Sequence, residues 1–311
     1  MNRFIRNASA ALALTLSSAA LAADPVACKT VRLGVVNWTD VIATSAMAEV
    51  MLEGLGYQTE ETTASQQIIM SAMADDNLDV FLGYWQPTMI PVVKPFIDKG
   101  QVKVMESPIL PDAQSTFAVP DYVYEAGLKT FADIAKYRDK LDGKIYGIEP
   151  GSGANRGTAE MIKNNRFGLK DFQLVESSEA GMLTAVKRAE KRKDWIVFFG
   201  WKPHPMNLQI KMHYLTGSED VFGPNEGLAT VSAVTTANYP EKCPNVAKLV
   251  GNLHFTSAEV GAVMAPILDR TSPQEAAKAW LKQHPGKLET VLDGVTTLDG
   301  KNGLHAVKAS L

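Results

Sequence analysis

Apolar runs of strand length alternate with runs of helical periodicity along most of this chain. The first apolar run covers residues 31–38 (VRLGVVNW) and is followed by a helical pattern at about 42–55. A polar strand near 57–63 and a short helix near 66–74 lead to a second apolar strand at 79–85. Strands that alternate with helices of this size predict βαβ units and a mainly parallel sheet.

A second unit repeats this order after residue 144. Its elements are predicted as a strand at 144–150, a helix at about 156–165, a strand at 172–176, a helix at about 180–191 and a strand at 195–201. The pattern then predicts one more strand at 229–236 and a C-terminal set of helices, one of which opens on the capping box Ser272-Pro273-Gln274-Glu275. Two similar units predict an α/β protein with two lobes.

The chain contains two cysteines, Cys28 and Cys243. In an oxidising compartment two cysteines most simply form one disulfide. That pairing would return the C-terminal segment to the first lobe, and the chain would then cross between the lobes twice, near 112–116 and 216–220. On this basis we predict lobe I at 23–114 plus 218–311 and lobe II at 115–217, joined by a two-crossover hinge.

The first 22 residues are typical of a secretory signal peptide. Arg3 and Arg6 precede a short apolar run at 10–21, and Ala20-Leu21-Ala22 is an A-x-A-type cleavage site. We therefore expect an exported, periplasmic protein. Removing residues 1–22 removes two arginines and no acidic residue, which changes the formal net charge from −3 to −5. This mild acidity argues against nucleic acid as a partner.

The same short motif ends a predicted strand in each unit. Residues 80–89 read VFLGYWQPTM and residues 197–206 read VFFGWKPHPM, so both strands end in Gly, Trp, a polar residue and Pro, with one residue inserted in the first. Trp38 follows the first strand of the chain in a similar way. Because ligands bind beyond the carboxyl ends of strands in open parallel sheets, we expect Trp38, Trp85 and Trp201 to line one site between the lobes.

Three indole rings at one site favour a cation that carries no N–H groups, such as a quaternary ammonium, because each ring face attracts it by about 0.5–2 kcal/mol. Asp40, two residues after Trp38, could balance the charge or accept a ligand hydroxyl. It could equally cap the helix predicted to begin near Ile42. Trp195 and Trp280 lack the strand-end placement and are predicted to be packing residues.

The turn before the second-unit helix is a candidate for polar contacts. Ser152 and the backbone N–H groups after it would suit a polar or anionic ligand group, although an ordinary N-cap role is slightly favoured. Glu149, Asn155 and Arg156 are candidates for bonds across the cleft. His204, which lies between two prolines, is predicted to fix the loop after the second-unit motif.

No catalytic template fits the sequence. The G-x-S-x-G elbow, the phosphate-binding loop and the dinucleotide fingerprint are absent, and the five histidines do not cluster at metal-ligand spacing. The sequence therefore predicts no catalysis, no metal site and no cofactor.

Several segments resemble the choline-binding proteins of bacterial ABC importers. They are NWTD (37–40), VFLGYWQPT (80–88), DGKIYGIEPG (142–151), VESSEAGML (175–183), VFFGWKPHPMN (197–207), FGPNEG (222–227) and CPNVAKLVGNL (243–253). AWLKQHP (279–285) is also similar to the wider glycine-betaine-type family. The resemblance implies a bilobal type II periplasmic binding protein, an aromatic cage for a trimethylammonium group and delivery to an ABC permease. It places Trp38, Trp85 and Trp201 on cage positions and Asp40 on the acidic position.

The sequence departs from the choline-binding pattern at three positions. The family's fourth cage aromatic, a Tyr, aligns with about Ser115, an Asn of the family aligns with Ser152, and Lys202 stands where an acidic residue is usual. We hypothesise that one wall of the cage is missing, and that the roomier, less negative site shifts the preference toward a ligand with a carboxylate, such as carnitine or glycine betaine.

Together these features predict a monomeric periplasmic receptor for choline or a related trimethylammonium compound. Other osmolytes, such as ectoine or proline betaine, are alternatives within the same class. The rival from another class is an exported enzyme that acts on a choline ester or phosphocholine, with Ser152 or Asp40 as the catalyst. A chemosensory adaptor for the same ligand is a third alternative.

Overall fold

The computed structural model describes residues 24–311, and the predicted signal peptide at 1–22 lies outside the described residues. The described chain forms ten strands. They are β1 Thr30–Val35, β2 Gln58–Thr63, β3 Val80–Gln86, β4 Val102–Val104, β5 Leu110–Pro120, β6 Lys144–Tyr146, β7 Gln173–Val175, β8 Phe198–Lys202, β9 Met212–Tyr214 and β10 Leu228–Thr236.

Helices and helical turns separate these strands, as the alternating sequence pattern predicts. They are α1 Thr39–Gly54, α2 Gln66–Ala74, α3 Ile90–Asp98, α4 Asp121–Glu125, α5 Phe131–Ile134, α6 Gly153–Lys163, α7 Glu179–Arg192, α8 Met206–Gln209, α9 Glu219–Phe222, α10 Pro224–Gly227, α11 Tyr239–Lys242, α12 Pro244–Asn252, α13 Ser257–Leu268, α14 Pro273–Gln283, α15 Pro285–Val291 and α16 Gly303–Ser310. Within residues 24–311, none of these helices has the length and apolar character needed to cross a membrane.

The strands form two parallel sets that are joined by a pair of antiparallel strands. In the first set β1 pairs in parallel with β2 and β3, and in the second set β6 pairs in parallel with β7 and β8. The long strands β5 and β10 connect the sets in the order β2-β1-β3-β10-β5-β8-β6-β7. The predicted parallel βαβ units are therefore confirmed, and the sheet between them is continuous.

Strand β5 carries the chain from the first set of strands to the second. At its start Leu110 pairs with Val231 of β10, and from Gln114 onward it pairs with β8. This change of partner falls in the region where the sequence predicts the first crossover. We refer to the elements around the first set as lobe I and those around the second set as lobe II.

The return crossover is marked by contacts of α9 with lobe II. Phe222 packs against Phe117, Phe131 and Phe199, with ring centroids 5.3–5.9 Å apart. The chain then turns through Gly223 and Gly227, both at positive φ, and enters β10. The lobe boundaries stay a prediction, and we propose on these contacts that lobe II extends to Phe222 rather than to residue 217.

The C-terminal helices return to lobe I, as the predicted disulfide requires. Helices α13, α14 and α16 pack against α1, and Cys28 is bonded to Cys243. The Asp24 carboxylate accepts hydrogen bonds from the backbone N–H groups of Asn245 and Val246 at 2.8 and 3.1 Å. The first described residues are thus held against the start of α12 by both a covalent bond and hydrogen bonds.

Helix α1 begins three residues earlier than the pattern predicts, at Thr39 instead of Ile42. Trp38 has an extended backbone and occupies the position before the helix, so Asp40 lies inside the first turn. The capping role considered for Asp40 is therefore wrong. The difference matters because the Asp40 side chain is free to bind groups outside the helix.

Candidate functional site

A small cavity, lined mostly by buried residues, lies between the two lobes. Lobe I, lobe II and the connecting strand β5 all contribute to its lining. The lining residues are Trp38, Asp40, Gln66, Trp85, Thr88, Ser115, Ile148, Gly153, Ala154, Phe199 and Trp201. Apart from Asp40, none of these residues carries a formal charge.

The structure brings together the three tryptophans selected from the sequence. Trp38 follows β1, Trp85 lies near the end of β3 and Trp201 lies near the end of β8. Their exposed fractions are 7 %, 4 % and 4 %. Because the strands end on the cleft side of each lobe, the indoles reach one cavity from both sides.

Phe199 is a fourth aromatic lining residue that the sequence analysis missed. It lies two residues before Trp201 on β8, and residues two apart on a strand share a face. The two ring centroids are 6.0 Å apart with an interplanar angle of 30°. The two-residue alternation of side chains along a strand was the sequence signal that could have identified Phe199. We call Trp38, Trp85, Trp201 and Phe199 the aromatic cage, and the cavity therefore has four aromatic lining residues although residue 115 is a serine.

Asp40 is the acidic residue of the cavity and is 2 % exposed. Its Oδ2 accepts a hydrogen bond from the indole N–H of Trp85 at 3.0 Å. Burial, with the nearby Glu179 carboxylate as the second cause, raises the pKa of Asp40 from 3.8 to about 7, although the hydrogen bond from the Trp85 indole acts in the opposite direction. An ionised Asp40 in this site thus favours a nearby positive charge.

Two further carboxylates of lobe II bind the start of α1 across the cleft. Glu149 accepts the indole N–H of Trp38, with both carboxylate oxygens 2.9 Å from Nε1. Glu179 accepts the backbone N–H of Thr39 at 2.9 Å and is also hydrogen-bonded by the Thr39 hydroxyl. Burial, and then the Glu179 charge, raise the pKa of Glu149. The cross-cleft role predicted as possible for Glu149 is therefore observed.

His204 supports this contact from within lobe II. Its Nδ1 accepts the backbone N–H of Met206 at 2.9 Å, so Nε2 is the atom that donates to Glu179, at 3.0 Å. Its ring also packs edge-on against Trp201, with the centroids 4.8 Å apart. His204 therefore holds both the loop after the second-unit motif, as predicted, and the Glu179 carboxylate.

Ser152 and Asn155 organise lobe II instead of reaching across the cleft. Ser152 caps α6 by accepting the backbone N–H of Asn155 at 3.2 Å. The Asn155 amide donates to the carbonyls of Ile148 and Glu149 at 2.9 and 3.1 Å. Neither residue lines the cavity, and Arg156 does not line it either. Asn155 thus acts on the site through the loop that carries Glu149.

The lobes approach each other closely beside the cavity, where α6 begins. A Cβ atom added to Gly153 of lobe II would lie only 2.2 Å from the backbone oxygen of Thr88 in lobe I. Together with the Glu149 and Glu179 bonds, this approach defines a closed arrangement of the lobes. The packing leaves no room for a side chain at position 153.

The remaining tryptophans pack away from the cavity, as predicted. Trp280 stacks on His284 at 4.0 Å, and Trp195 packs on Tyr137 at 4.8 Å. One group of potential metal-ligand atoms occurs in residues 24–311, formed by Asp121, Glu125 and His213 on the surface of lobe II. Its Asp121 carboxylate is already hydrogen-bonded to Lys211 and His213 at 2.7 and 2.8 Å, so we interpret it as an ion-pair cluster.

Comparison with known proteins gives consistent matches. The family described as the substrate binding domain of ABC-type glycine betaine transport system matches residues 29–283. A solved ABC-transporter choline binding protein in complex with choline is 47 % identical, with a TM-score of 0.90 over 92 % of this chain and 99 % of that one. The unliganded, semi-closed form of a choline binding protein, also 47 % identical, matches with a TM-score of 0.83 over 91 % and 98 %.

A curated relative gives a further match. The glycine betaine/carnitine transport binding protein GbuC of Listeria monocytogenes is 31 % identical over 162 residues, which is 52 % of this chain and 53 % of that protein. The choline-bound structure matches this chain with a higher TM-score than the semi-closed structure does. This difference agrees with the closed arrangement of the lobes seen here.

The protonation of Asp40 should control how readily the lobes close without a ligand. In the open arrangement the pKa of Asp40 should be near 3.8, whereas in the closed arrangement it is about 7. The closed form binds the extra proton, so its stability relative to the open form should fall as the pH rises from about 4 to about 7. The distance between spin labels at the exposed positions Lys99 and Lys191 should report more closed molecules at pH 5 than at pH 8.

Asp40→Asn is the matched variant for this experiment, because it keeps the side-chain shape and removes the titrating carboxyl group. It should weaken the pH dependence, and the smaller contribution of Glu149 should remain. An equal distance distribution of the wild-type protein at both pH values would contradict the prediction, as would an unchanged pH response of the variant.

Proposed function

This chain belongs to the family of substrate-binding domains of ABC-type glycine betaine transport systems, and we propose that its ligand is choline. The observation that carries the proposal is the aromatic cage around an acidic residue. Four aromatic side chains and Asp40 line one buried cavity, and no Lys or Arg is among the lining residues that the structure describes. The 47 % identical structure in complex with choline supports the same ligand.

The physical case for a quaternary ammonium group rests on how the cavity handles charge. A trimethylammonium group donates no hydrogen bond, so indole faces can replace its hydration without leaving a donor unsatisfied. Each ring contributes about 0.5–2 kcal/mol, and a cage of this size could supply much of the roughly 8 kcal/mol of micromolar binding. The cation would also compensate the buried carboxylates of Asp40 and Glu179 and the partly buried carboxylate of Glu149, whose charges act on one another.

A ligand with a carboxylate fits the cavity less well than choline does. The hypothesis of a shift toward carnitine or glycine betaine depended on a missing wall and a less negative site. Phe199 supplies a fourth aromatic residue, and Lys202 lies over the ring of Tyr214, at 5.3 Å, without lining the cavity. A ligand carboxylate would meet Asp40 with no cation to bind it. We therefore favour choline over carnitine and glycine betaine.

The hydrolase alternative is not supported by the site geometry. Ser152 is used as a helix cap and does not line the cavity. In the chain of hydrogen bonds formed by Thr39, Glu179 and His204, the Thr39 hydroxyl is bonded to the carboxylate and not to the histidine. A nucleophilic hydroxyl must be able to give its proton to a base such as histidine. Members of this family bind solutes for ABC transporters, and we propose that this protein has no catalytic activity.

Delivery of the ligand to a membrane permease follows from membership of this family, whose members act outside the cytoplasm. We propose that the closed, choline-loaded protein docks on the permease of an ABC importer in the inner membrane, that it is periplasmic and that it acts as a monomer. The cage tryptophans, Asp40 and Ser115 are proposed as ligand contacts, and Ser152 and Asn155 as supports of the lobe II wall.

Isothermal titration calorimetry with a panel of ligands tests the proposal. Choline should bind with a dissociation constant in the micromolar range or below, and glycine betaine and carnitine at least about tenfold more weakly. The neutral carbon analogue 3,3-dimethylbutan-1-ol has nearly the shape of choline without its charge, so it should bind more weakly still. Tighter binding of glycine betaine or carnitine than of choline would overturn the choice of ligand.

Loss of one cage wall should weaken choline binding strongly. Trp201→Leu removes an aromatic face from the cavity and should raise the dissociation constant for choline more than about tenfold. Trp195→Leu is the matched control in lobe II, because Trp195 packs outside the cavity, and its effect should stay within about threefold. Similar effects of the two variants on binding would count against the cage, provided that both remain folded by circular dichroism.

A methyl group at position 153 should prevent closure. In Gly153→Ala the new Cβ would clash with the Thr88 backbone, so choline binding should weaken more than about tenfold. Gly157→Ala on the same helix is the control, since its Cβ would meet only the Val221 side chain, at 3.2 Å. Alanine favours helix over glycine by about 1 kcal/mol, so neither variant should lower the melting temperature of the ligand-free protein. Unchanged choline affinity of Gly153→Ala would contradict the closed arrangement.

A further inference from the structure

A glutamine occupies a core position of α2. Ile69, Met70 and Met73 form an apolar stripe on this helix and are at most 1 % exposed. Gln66 precedes them at the spacing of the same stripe and is 2 % exposed. A polar side chain buried in such a stripe normally has a hydrogen-bond partner, because burying it without one is costly.

The Gln66 amide has no such partner in the part of the chain that the structure describes. Its Oε1 and Nε2 atoms are both buried and make no hydrogen bond. The same holds for Oγ of Ser115 and Oδ1 of Asp40, which also belong to residues that line the cavity. Half of the eight buried side-chain atoms without a partner in residues 24–311 thus come from these three residues. Their concentration at the cavity indicates a polar group of the ligand as the partner.

The chemistry of these atoms specifies a neutral hydroxyl better than a carboxylate. The Gln66 amide offers donors and an acceptor, the Ser115 hydroxyl offers both, and Asp40 Oδ1 only accepts when ionised. A hydroxyl can accept from the first two and donate to an acceptor. A carboxylate could not donate, and it would be repelled by Asp40. The cavity therefore combines an aromatic cage for the cation with polar atoms suited to a hydroxyl arm.

We infer that Gln66, together with Ser115, binds the hydroxyl oxygen of the ligand and so makes the protein prefer a hydroxyl-bearing quaternary ammonium over a plain one. This inference rests on the proposed function, because it assumes that the cage holds the cation. Gln66 was not among the sequence candidates, and neither the family resemblance nor the strand-end motif points to it. It is a specificity-determining contact from α2, an element outside the duplicated motif.

Calorimetry with choline and tetramethylammonium separates the two parts of the ligand, because tetramethylammonium lacks the hydroxyl arm. The wild-type protein should bind choline more tightly than tetramethylammonium. Gln66→Met keeps the side-chain length and removes the amide, so it should weaken choline binding about five- to tenfold, the effect expected for one neutral hydrogen bond. Its affinity for tetramethylammonium should change less than about twofold. Ser115→Ala should show the same selective loss.

Gln67→Met is the control, since Gln67 is the next residue on the same helix and is exposed. It should leave both affinities unchanged. The melting temperature of ligand-free Gln66→Met should not fall, because replacing an unsatisfied buried amide with an apolar group of similar shape is neutral or stabilising. A drop of several degrees would show that Gln66 has a structural role instead and would overturn the inference.

The outcomes also distinguish this inference from the proposed function. If the wild-type protein binds neither ligand, the proposed function fails and the inference falls with it. If it binds both, and Gln66→Met keeps the wild-type ratio of the two affinities, the proposed function stands and the role of Gln66 is refuted. An equal loss for both ligands would likewise refute a contact with the hydroxyl arm.

Discussion

Buried negative charge is the physical constraint on which the closed form of this protein depends. Asp40 lies in the cavity. In the closed arrangement the carboxylates of Glu149 and Glu179 from lobe II also lie at the start of α1, where they are hydrogen-bonded to Trp38 and Thr39. Each carboxylate has hydrogen-bond donors, but hydrogen bonds to neutral groups do not cancel the charge. A cation in the cage would do so, which links ligand charge to lobe closure. A neutral molecule of the same shape would leave the carboxylates uncompensated, and the protein would then tend to open or take up a proton.

The architecture explains how side chains from distant parts of the chain reach one cavity. Parallel strands direct their carboxyl ends to the same edge, and each lobe therefore presents its strand-end tryptophans toward the cleft. Strands β5 and β10 pass between the lobes as a hydrogen-bonded pair, so the lobes are joined by continuous sheet. Ser115 lies on β5 opposite Trp201, directly after the strand changes partner. A movement of β5 where it changes partner would therefore shift both the aromatic cage and the Ser115 hydroxyl.

Sequence reasoning identified the three tryptophans, Asp40 and Ser115 of the cavity, and it missed Phe199 and Gln66 for different reasons. Phe199 could have been found, because it shares a strand face with Trp201. Gln66 could not have been assigned from the pattern alone, since a polar residue at the start of a helix is ordinarily a solvated one. Its importance depends on the absence of a partner among the described residues, which is a property of the packing. The helix-cap alternative for Asp40 failed because the start of α1 was predicted three residues too late.

The sequence by itself determined the α/β class, the two related units, the disulfide partners and the three tryptophans, because each depends on local periodicity, residue type or a motif at a strand end. Only the tertiary structure decided which residues face one another across the cleft. The bonds of Trp38 to Glu149 and of Thr39 to Glu179 join residues more than a hundred positions apart in the chain. The raised pKa of Asp40 and the unpartnered amide of Gln66 likewise arise from burial between the lobes, and burial is set by packing that no local pattern encodes.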